Sequence, residues 1–467
     1  MKRTFLLTIV LVAIISINAY SQNNLLQESD LVYLGAFRIP SGHGGDDCHK
    51  LSYGGQSMAY NPHNDSLFVV GHSHCLYVAE ISIPEPVKSS DLSALNRASY
   101  LTPHPYFFDP TEGNRNNLGE NKAPITGQKS ARGLLVYGNK LIGTSKVYYD
   151  GGYNQRVTHY TRSLDLTQTS FAGHFEPAVS GIARSFTAGY LGLIPSEYQN
   201  SLGGKAVAGM SWGPIAPTAS YGPAFITFNP DQLGVVEPFP VSQLLYYDSL
   251  DHGLDGTYYS NIQRASIYTS PDDHIGGVAF PSGARSVLFF GSHGTSATDG
   301  YSCYGPGVST LEQAYTSGPP YLLENRKDCT GGHCCYDPTS SSKGLHAYPY
   351  VNQIWAYDVN DLIAVKNGSK KPWEPVPYAV WNPTFPTAGR QISSAAYDPV
   401  GRRIFVAQSF ADGSAPVFHV FKVAGTPSDH SCFDGIKNGN ETGVDCGGGC
   451  APCLKPPMNV RSVQVTP

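Results

Sequence analysis

The chain has 467 residues, of which 41% are hydrophobic and 14% are charged, and its formal net charge is −5. This weakly acidic balance provides no overall basic field, so we expect no nucleic-acid partner. The 50 glycines, 35 prolines and 30 tyrosines favour short strands joined by tight turns over long helices.

Residues 1–22 predict a secretory signal peptide. Lys2 and Arg3 precede an apolar run over 5–16, and a short stretch of small and polar residues follows it. The run is shorter than the roughly 20 apolar residues that cross a membrane. We therefore expect a monomeric protein without a membrane span, either secreted or held in the periplasm or at the cell surface. In an oxidising compartment its ten cysteines are more often bridged than free.

Repeated hairpins predict an all-β domain over residues 23–426. The segments 58–70 (MAYNPHNDSLFVV) and 395–407 (AAYDPVGRRIFVA) each place an Asn/Asp-Pro turn between two short apolar strands. Weaker relatives of this pattern occur at 133–145, 284–292 and 352–362. Matching hairpins at the two ends of one domain indicate repeated blades joined into a ring, as in a β-propeller.

The length of the domain sets the expected number of blades. About 400 residues separate the strand-like segments 31–40 and 417–425, which at roughly 40–50 residues per blade leaves room for about seven to nine blades with long loops. Residues 31–38 are expected to close the ring beside the last blade. A large β-sandwich or two stacked all-β domains would fit the same strands. Short helices are expected at 196–202 and 359–368.

A basic, aromatic stretch is the candidate site. Between Gly113 and Arg162, only Glu120 and Asp150 oppose eight cations: Arg115, Lys122, Lys129, Arg132, Lys140, Lys146, Arg156 and Arg162. The aromatic residues and histidines in and just after this stretch include Tyr148, Tyr149, Tyr153, His159, Tyr160, His174 and Tyr190, with Arg184 among them. This set suits an anionic sugar polymer, because cations hold carboxylates or sulfates and aromatic faces stack on sugar rings. A solvated loop with ordinary strand tyrosines is the alternative.

If the site is catalytic, β-elimination of a uronic acid is the reaction that these residue types suit. Removal of the C5 proton is unfavourable while the neighbouring carboxylate keeps its charge, so an Arg, Lys or His must neutralise it. A His or Tyr then takes the proton, and a Tyr or His returns one to the leaving oxygen. Hydrolysis usually needs two facing carboxylates, and the sequence shows no such pair.

Five blocks carry a family resemblance: 66–84 (SLFVVGHSHCLYVAEISIP), 186–204 (FTAGYLGLIPSEYQNSLGG), 219–230 (ASYGPAFITFNP), 287–307 and 343–381. Together they span most of residues 30–425 and resemble secreted bacterial β-propeller polysaccharide lyases of the ulvan lyase type. The resemblance implies a seven-bladed β-propeller that cleaves a sulfated, uronate-containing polysaccharide by β-elimination. It also implies catalytic histidine, tyrosine and arginine residues and a structural zinc.

The resemblance places Tyr190 inside a matching block, as the preferred catalytic tyrosine. The other catalytic candidates are His159, Arg132, Lys146 and Arg184. Lys146 is placed where a relative has a histidine, so a propeller that only binds carbohydrate is an alternative, and a propeller glycoside hydrolase is a third. The substrate-binding candidates are His72, expected on a strand, with Tyr148, Tyr149, His174 and Tyr221.

The segment 327–350 (KDCTGGHCCYDPTSSSKGLHAYPY) predicts a zinc site, a disulfide knot, or both. Within the resembling blocks, the implied zinc ligands are His293, Cys303, Cys335 and His346, with Asp337 as a substitute or supporting group. Cys329 and Cys334 would form a short-loop disulfide that leaves Cys335 for the metal. The alternative pairs Cys303 with one of these three cysteines and makes His346 an ordinary polar residue.

Residues 427–455 predict a separate cysteine-rich module. It has too few apolar residues for a core, so two disulfides among Cys432, Cys446, Cys450 and Cys453 are expected. Calcium is the alternative, with the candidate ligands Asp434, Asn438, Asn440, Glu441 and Asp445. Residues 456–467 are expected to be a linker or the opening strand of a further domain.

Overall fold

A computed structural model describes residues 25–424, apart from 41–49, 73–76, 102–116, 126–128, 169, 212–217, 248–272, 295–303, 306–344 and 347–349. The expected signal peptide, the cysteine-rich module and all ten cysteines lie outside the described residues. Within the described part, no helix is long and apolar enough to cross a membrane.

Antiparallel sheets make up nearly all of the regular structure. The chain enters through β1 (Leu31–Arg38), whose partner comes at the end of the domain. Blade I contains β2 (Met58–Asn61), β3 (Ser66–Val70) and β4 (Val78–Ser82). Blade II contains β5 (Lys129–Tyr137), β6 (Lys140–Val147), β7 (His159–Ser163) and β8 (Ala172–Phe175). Blade III contains β9 (Leu191–Leu193), β10 (Ala206–Ala208), β11 (Phe225–Phe228) and β12 (Val241–Leu245).

The second half of the domain repeats the pattern with one insertion. Blade IV begins with β13 (His274–Ala279) and β14 (Ser286–Gly294), and a separate two-stranded sheet follows, formed by β15 (Tyr304–Gly305) and β16 (Leu345–His346). Blade IV then continues with β17 (Tyr350–Asp358) and β18 (Ala379–Trp381). Blade V contains β19 (Ile392–Asp398), β20 (Arg403–Asp412), β21 (Ala415–Val423) and β1. In the described part of the chain, the α-helices are α1 (Ser196–Leu202) and α2 (Val359–Lys366), close to the segments expected from the sequence.

The blades form a closed ring, which makes the domain a β-propeller. Their first strands, β2, β5, β9, β13 and β19, pack each against the next, and β19 packs against β2. The expectation of an all-β propeller is therefore confirmed, and so is the predicted closure by residues 31–38, because β1 pairs with β21 from Leu31 opposite Val423 to Arg38 opposite Val417. Arg38 also forms a two-point ion pair with Asp412 of the same blade, at 2.8 and 3.0 Å.

The expected number of seven blades is wrong: the ring of described strands has five. The estimate divided the length of the domain evenly, whereas three connections take up much of it. They run from β4 to β5 (83–128), from β12 to β13 (246–273) and from β14 to β17 (295–349). Length alone does not distinguish a long connection from a blade.

Local turn chemistry explains the two hairpins that the sequence predicts, and both are confirmed. In blade I, β2 and β3 flank Pro62–Asp65, and the Asn61 side-chain oxygen accepts from the backbone N–H of His63 at 3.2 Å. In blade V, the Asp398 carboxylate accepts from the backbone N–H groups of Val400 and Gly401, both at 2.9 Å. An Asx-type turn after an apolar strand is formed by near neighbours, so its residues can be identified from sequence.

Aromatic side chains fill the space between blades. Between blades III and IV, the fully buried Phe225, Phe289 and Trp355 pack in one cluster. Between blades V and I, Phe37 and Phe418, which pack edge-to-face within blade V with ring centroids 5.6 Å apart, belong to one buried cluster with Leu67 of blade I. These contacts hold neighbouring sheets at fixed angles, and so fix the ends of the inner strands.

Candidate functional site

A cavity of about 350 Å³ opens at the ends where inner strands begin. Its walls come from the loop before β2, the first residues of β5, β13 and β19, and the last residues of β14 and β20. The polar and aromatic residues among its described lining are Tyr53, Gln56, Arg132, His274, Ser292, Tyr350, Gln391, Ser393, Ser409, Phe410 and Ser414. None of the described lining residues is a carboxylate. The volume is at the lower end of the range for small-ligand sites, about 300–1,000 Å³.

Arg132 lies at a β-bulge in β5. The register between β5 and β6 shifts between Ala131 and Gly133, and a bulge of this kind re-aims the side chain that it carries. The Arg132 Nε donates to Ser130 Oγ at 2.9 Å. A Cβ at Gly133 would lie 2.1 Å from the Gly189 carbonyl oxygen, so a glycine is needed beside Arg132. Burial lowers the pKa of Arg132 to about 10, which leaves the guanidinium charged at neutral pH.

Lys146 lies behind Arg132. It is opposite Ser130 in the β5–β6 pairing and is only 2% exposed. Burial, followed by repulsion from Arg132, lowers its pKa to about 7, against the opposing attraction of Asp150. Such a lysine changes its charge close to neutral pH, a property that clusters at functional sites.

His274 joins this basic cluster from the opposite part of the ring. It is the first residue of β13, opposite Ser292, and it lines the cavity. Burial, followed by repulsion from Arg132 and Lys146, lowers its pKa to about 3, so the imidazole is neutral at physiological pH. The sequence analysis missed His274. A polar residue ahead of glycine at the start of an inner strand, as in Arg132-Gly133 and His274-Ile275-Gly276, is the signal that could have found it.

The structure brings one predicted tyrosine to the cluster. Tyr148 is half-buried and within electrostatic range of Arg132, whereas the next residue, Tyr149, is 63% exposed. His72 was expected on a strand, which is wrong: β3 ends at Val70 and His72 lies in a bend. Its ring packs edge-to-face on Tyr53, a cavity residue, with centroids 5.3 Å apart.

Tyr190, the preferred catalytic tyrosine, lies in the core instead. It is 2% exposed, and its hydroxyl both donates to the Ala224 carbonyl and accepts from the Ala224 N–H, each at 2.8 Å. Burial raises its pKa well above the ordinary value. A hydroxyl that is buried and doubly hydrogen-bonded does not meet a polymer in solution, so we assign Tyr190 to the packing of blade III.

His159 and His174 are also buried, inside blade II. His159 is 0% exposed and lies between Phe228 and Phe239, with ring centroids 4.9 and 5.0 Å away. His174 is 1% exposed, and its Nε2 lies 3.0 Å from Ser145 Oγ. Burial lowers the pKa of His159 to about 3 and that of His174 to about 4. Neither residue is in the described lining of the cavity, and both imidazoles are neutral at physiological pH.

The two remaining candidates are likewise apart from the cavity lining. Arg184 forms an ion pair with Glu176 at 2.7 Å, with about a quarter of each side chain exposed. Tyr221 is 4% exposed, and its backbone N–H donates to the Tyr247 carbonyl at 2.9 Å. The cavity thus unites Arg132 with His274, and places Lys146 and Tyr148 next to them, but does not include Arg184 or Tyr221.

Of the five predicted zinc ligands, His293 is the one whose side chain is described. It is 1% exposed, and its Nδ1 lies 2.5 Å from Oδ1 of the buried Asp273. Its Nε2 is buried without a hydrogen-bond partner in the described structure. His346 lies opposite Tyr304, the neighbour of Cys303, in the β15–β16 pairing. Cys303, Cys335 and Asp337 lie outside the described residues, and among the described ones no three His, Cys, Asp or Glu side chains form a metal-binding group.

Comparisons with known proteins add little to these observations. No family model matches the chain, and no curated protein matches it. Among solved structures, the chain is similar to the β-propeller domain of Cps50 (Swd1) from Myceliophteria thermophila. The identity is 8% and the TM-score 0.24, over 84% of this chain and 100% of that one. A score this low carries no argument, so the class of protein, a β-propeller with a basic cavity, rests on the strand pairing and the closed ring.

Proposed function

We propose that the protein is an exported polysaccharide lyase that cleaves a sulfated, uronate-containing polymer of the ulvan type by β-elimination. The observation that carries the proposal is the convergence of Arg132, Lys146 and His274 at one cavity, with Tyr148 beside them. The half-buried Arg132 and the buried Lys146, next to a neutral imidazole, match the needs of this reaction, because the substrate carboxylate must be neutralised before the adjacent carbon can lose a proton.

The residues divide the reaction among them. Arg132 pairs with the uronate carboxylate, and Lys146 behind it adds positive charge that stabilises the enolate. His274 accepts the C5 proton, the electron pair forms the C4–C5 double bond, and the C4–O4 bond breaks. The Tyr148 hydroxyl gives its proton to the leaving oxygen, and solvent returns one to Tyr148 as His274 releases its own.

Geometry favours His274 over Lys146 as the base. His274 lines the cavity, whereas Lys146 is 2% exposed behind Arg132, and a base must reach the proton that it removes. The low pKa of His274 reflects burial and two neighbouring cations. A bound carboxylate offsets that positive charge, so substrate binding makes His274 a stronger base when it is needed.

The two alternatives differ from a lyase in an observable way. A glycoside hydrolase needs a pair of carboxylates at the bond that breaks, and the described cavity lining contains none. A propeller that only binds carbohydrate would use the same cations and aromatic residues without forming a product. The alternatives are therefore separated by their products.

The test incubates the purified protein with ulvan and other uronate polymers and follows the absorbance of the unsaturated uronate. We expect absorbance from wild type, none from His274→Gln, and normal absorbance from Arg184→Gln, whose residue lies away from the cavity lining. Binding without absorbance would identify a carbohydrate-binding propeller instead. New reducing ends without absorbance would identify a hydrolase.

We also propose that His293 helps to hold a structural zinc ion. A histidine that donates Nδ1–H to a carboxylate presents Nε2 to a metal, and the contact with Asp273 leaves the His293 Nε2 in that state. The zinc would pin the long connection between β14 and β17. Metal analysis should show less zinc in His293→Ala and Cys303→Ser than in wild type. His63→Ala is the control, since His63 is exposed and contacts the Gly138 carbonyl; unchanged zinc in His293→Ala would refute the role of His293.

A further inference from the structure

A ladder of four side chains runs along the cavity on the side of blades I and V. The Tyr53 ring packs edge-to-face on His72 at 5.3 Å and on Phe410 at 5.6 Å. The Arg390 guanidinium carbon lies 4.2 Å from the centroid of the Phe410 ring. Tyr53 and Phe410 line the cavity. We call His72, Tyr53, Phe410 and Arg390 the aromatic ladder.

Two residues of the aromatic ladder have backbone conformations that are unfavourable for bulky side chains. Tyr53 has a φ of 56° and Phe410 a φ of 54°, in the left-handed region that bulky residues rarely adopt. Core packing does not explain why a tyrosine occupies position 53, because Tyr53 is 49% exposed. Strained residues of this kind concentrate at ligand sites, and here the strain presents two aromatic rings to one cavity.

Arg390 supplies a charge that its surroundings do not balance. The residue is exposed, and it forms no ion pair with any residue that the structure describes. Its backbone N–H donates to the Ser409 carbonyl at 2.7 Å, which fixes the chain beside Phe410. A guanidinium held over an aromatic ring can still donate N–H groups to an anion.

We propose that the aromatic ladder is a second sugar subsite, which binds the ring next to the uronate that Arg132 holds. That ring stacks on Tyr53 and Phe410, and Arg390 pairs with an anionic group on it, either a sulfate ester or a second carboxylate. The inference rests on the proposed function, since Arg132 defines the first subsite. The walls come from different blades: the ladder from I and V, Arg132 from II and His274 from IV.

The test measures the binding of ulvan, desulfated ulvan and carboxyl-reduced ulvan by calorimetry. Tyr53→Gly should weaken binding of all three by about ten-fold, because the stacking face is lost. Its thermal unfolding should stay unchanged or improve, since glycine adopts the left-handed conformation freely. Tyr153→Gly is the matched control: Tyr153 has a φ of 52° and is 43% exposed, but is not in the described lining.

Arg390→Gln identifies the anion. If the variant binds ulvan roughly ten-fold more weakly than wild type but binds desulfated ulvan equally well, Arg390 pairs with a sulfate. If the difference in affinity is instead absent with carboxyl-reduced ulvan, Arg390 pairs with a second carboxylate. Lys140→Gln removes an exposed charge at the far end of β6 and should change nothing.

Unchanged binding in both Tyr53→Gly and Arg390→Gln would overturn the second subsite even if the lyase assay succeeds. Conversely, weakened binding in these variants together with no product from wild type would support the subsite and refute the lyase. If wild type binds none of the three polymers, both proposals fail.

Discussion

Lys146 is almost completely buried, and Arg132 is close enough to repel its charged amine. Both influences disfavour the charged form, so the pKa of this lysine falls from 10.5 to about 7. A lysine in this state has a role that depends on its charge at working pH. As a cation it would help to neutralise a substrate carboxylate, whereas as a neutral amine it would be a base.

The pH dependence of kcat/KM distinguishes these roles, because that ratio reports groups of the free enzyme. We expect kcat/KM to fall as pH rises through about 7, since Lys146 loses its proton and its charge there. Lys146→Arg should keep activity and lose the fall, because arginine stays charged. A rise through the same pH would instead assign the role of base to Lys146.

The same burial costs stability at neutral pH. The folded-state pKa lies below the unfolded value, so the unfolded chain binds more protons between about pH 7 and 10.5 and wild-type stability rises across that window. Lys146→Met should raise the free energy of unfolding at pH 7 by about 1–4 kcal/mol. Chemical denaturation at about pH 7 and pH 9 should show this advantage shrinking as pH rises. An advantage that grows with pH would contradict this account.

β-bulges in the inner strands orient the side chains that line the cavity. The pairing register shifts at the cavity end of β5, of β13 between Ile275 and Gly277, and of β19 between Ile392 and Ser394. At the second of these bulges, a Cβ on Gly276 would lie 1.9 Å from the Ser393 carbonyl oxygen. Close contact between inner strands therefore fixes the position of His274, two residues earlier.

Gly276→Ala should lower the free energy of unfolding by about 1–3 kcal/mol, because the added methyl group overpacks the contact between β13 and β19. It should also reduce product formation, since His274 moves with the strand. Gly151→Ala is the control, in a turn where the nearest atom to an added Cβ is 3.8 Å away. We expect that change to stay within about 0.5 kcal/mol. Equal stability of the two variants in denaturant would contradict the close packing.

Sequence predicts the elements better than the site, for a physical reason. The hairpins at Asn61-Pro62 and Asp398-Pro399 depend on near neighbours, so both could be identified. The concentration of basic and aromatic residues in one segment likewise identifies Arg132, Lys146 and Tyr148 from sequence. His274, Tyr53 and Phe410 reach the same cavity from three other blades, and only the closed ring brings them there. The burial of Tyr190 could not be predicted, because the sequence does not show that its side chain packs in the core.

At the scale of the whole molecule, ring closure depends on a strand from each end of the domain. β1 completes blade V, where Phe37 is 0% exposed and packs on Phe418. The number of blades could not be predicted because connections such as 295–349 consume length without adding a blade. The ring, rather than any one sheet, is the unit that positions the cavity.

Phe37→Ala should therefore destabilise the whole propeller, by about 3–5 kcal/mol, through loss of a buried aromatic side chain. Val32→Ala lies on the same strand but at a residue that is 45% exposed, and should change stability by no more than about 0.5 kcal/mol. The free energy of unfolding, measured in denaturant by fluorescence and by circular dichroism, checks both. If the Phe37→Ala change is as small as the Val32→Ala change, the closure is not a major source of stability.

The pairing of Leu31 with Val423 also sets an order of events during synthesis. β1 is synthesised before the other strands, but its partner β21 is synthesised last. While blades I to IV are synthesised, β1 therefore has no strand to pair with and its apolar face is not yet packed. The strands of blades I to III pair with their neighbours in the chain, and blade IV pairs β14 with β17 across the connection 295–349, so all four blades can form before β21 is made. Closure then joins residues at the two extremes of the domain, so the final step of folding is also the one with the longest loop to close. A chain halted before β21 would hold four blades, the paired β19 and β20 of the fifth, an unpaired β1 and an open edge, which is the form most exposed to aggregation.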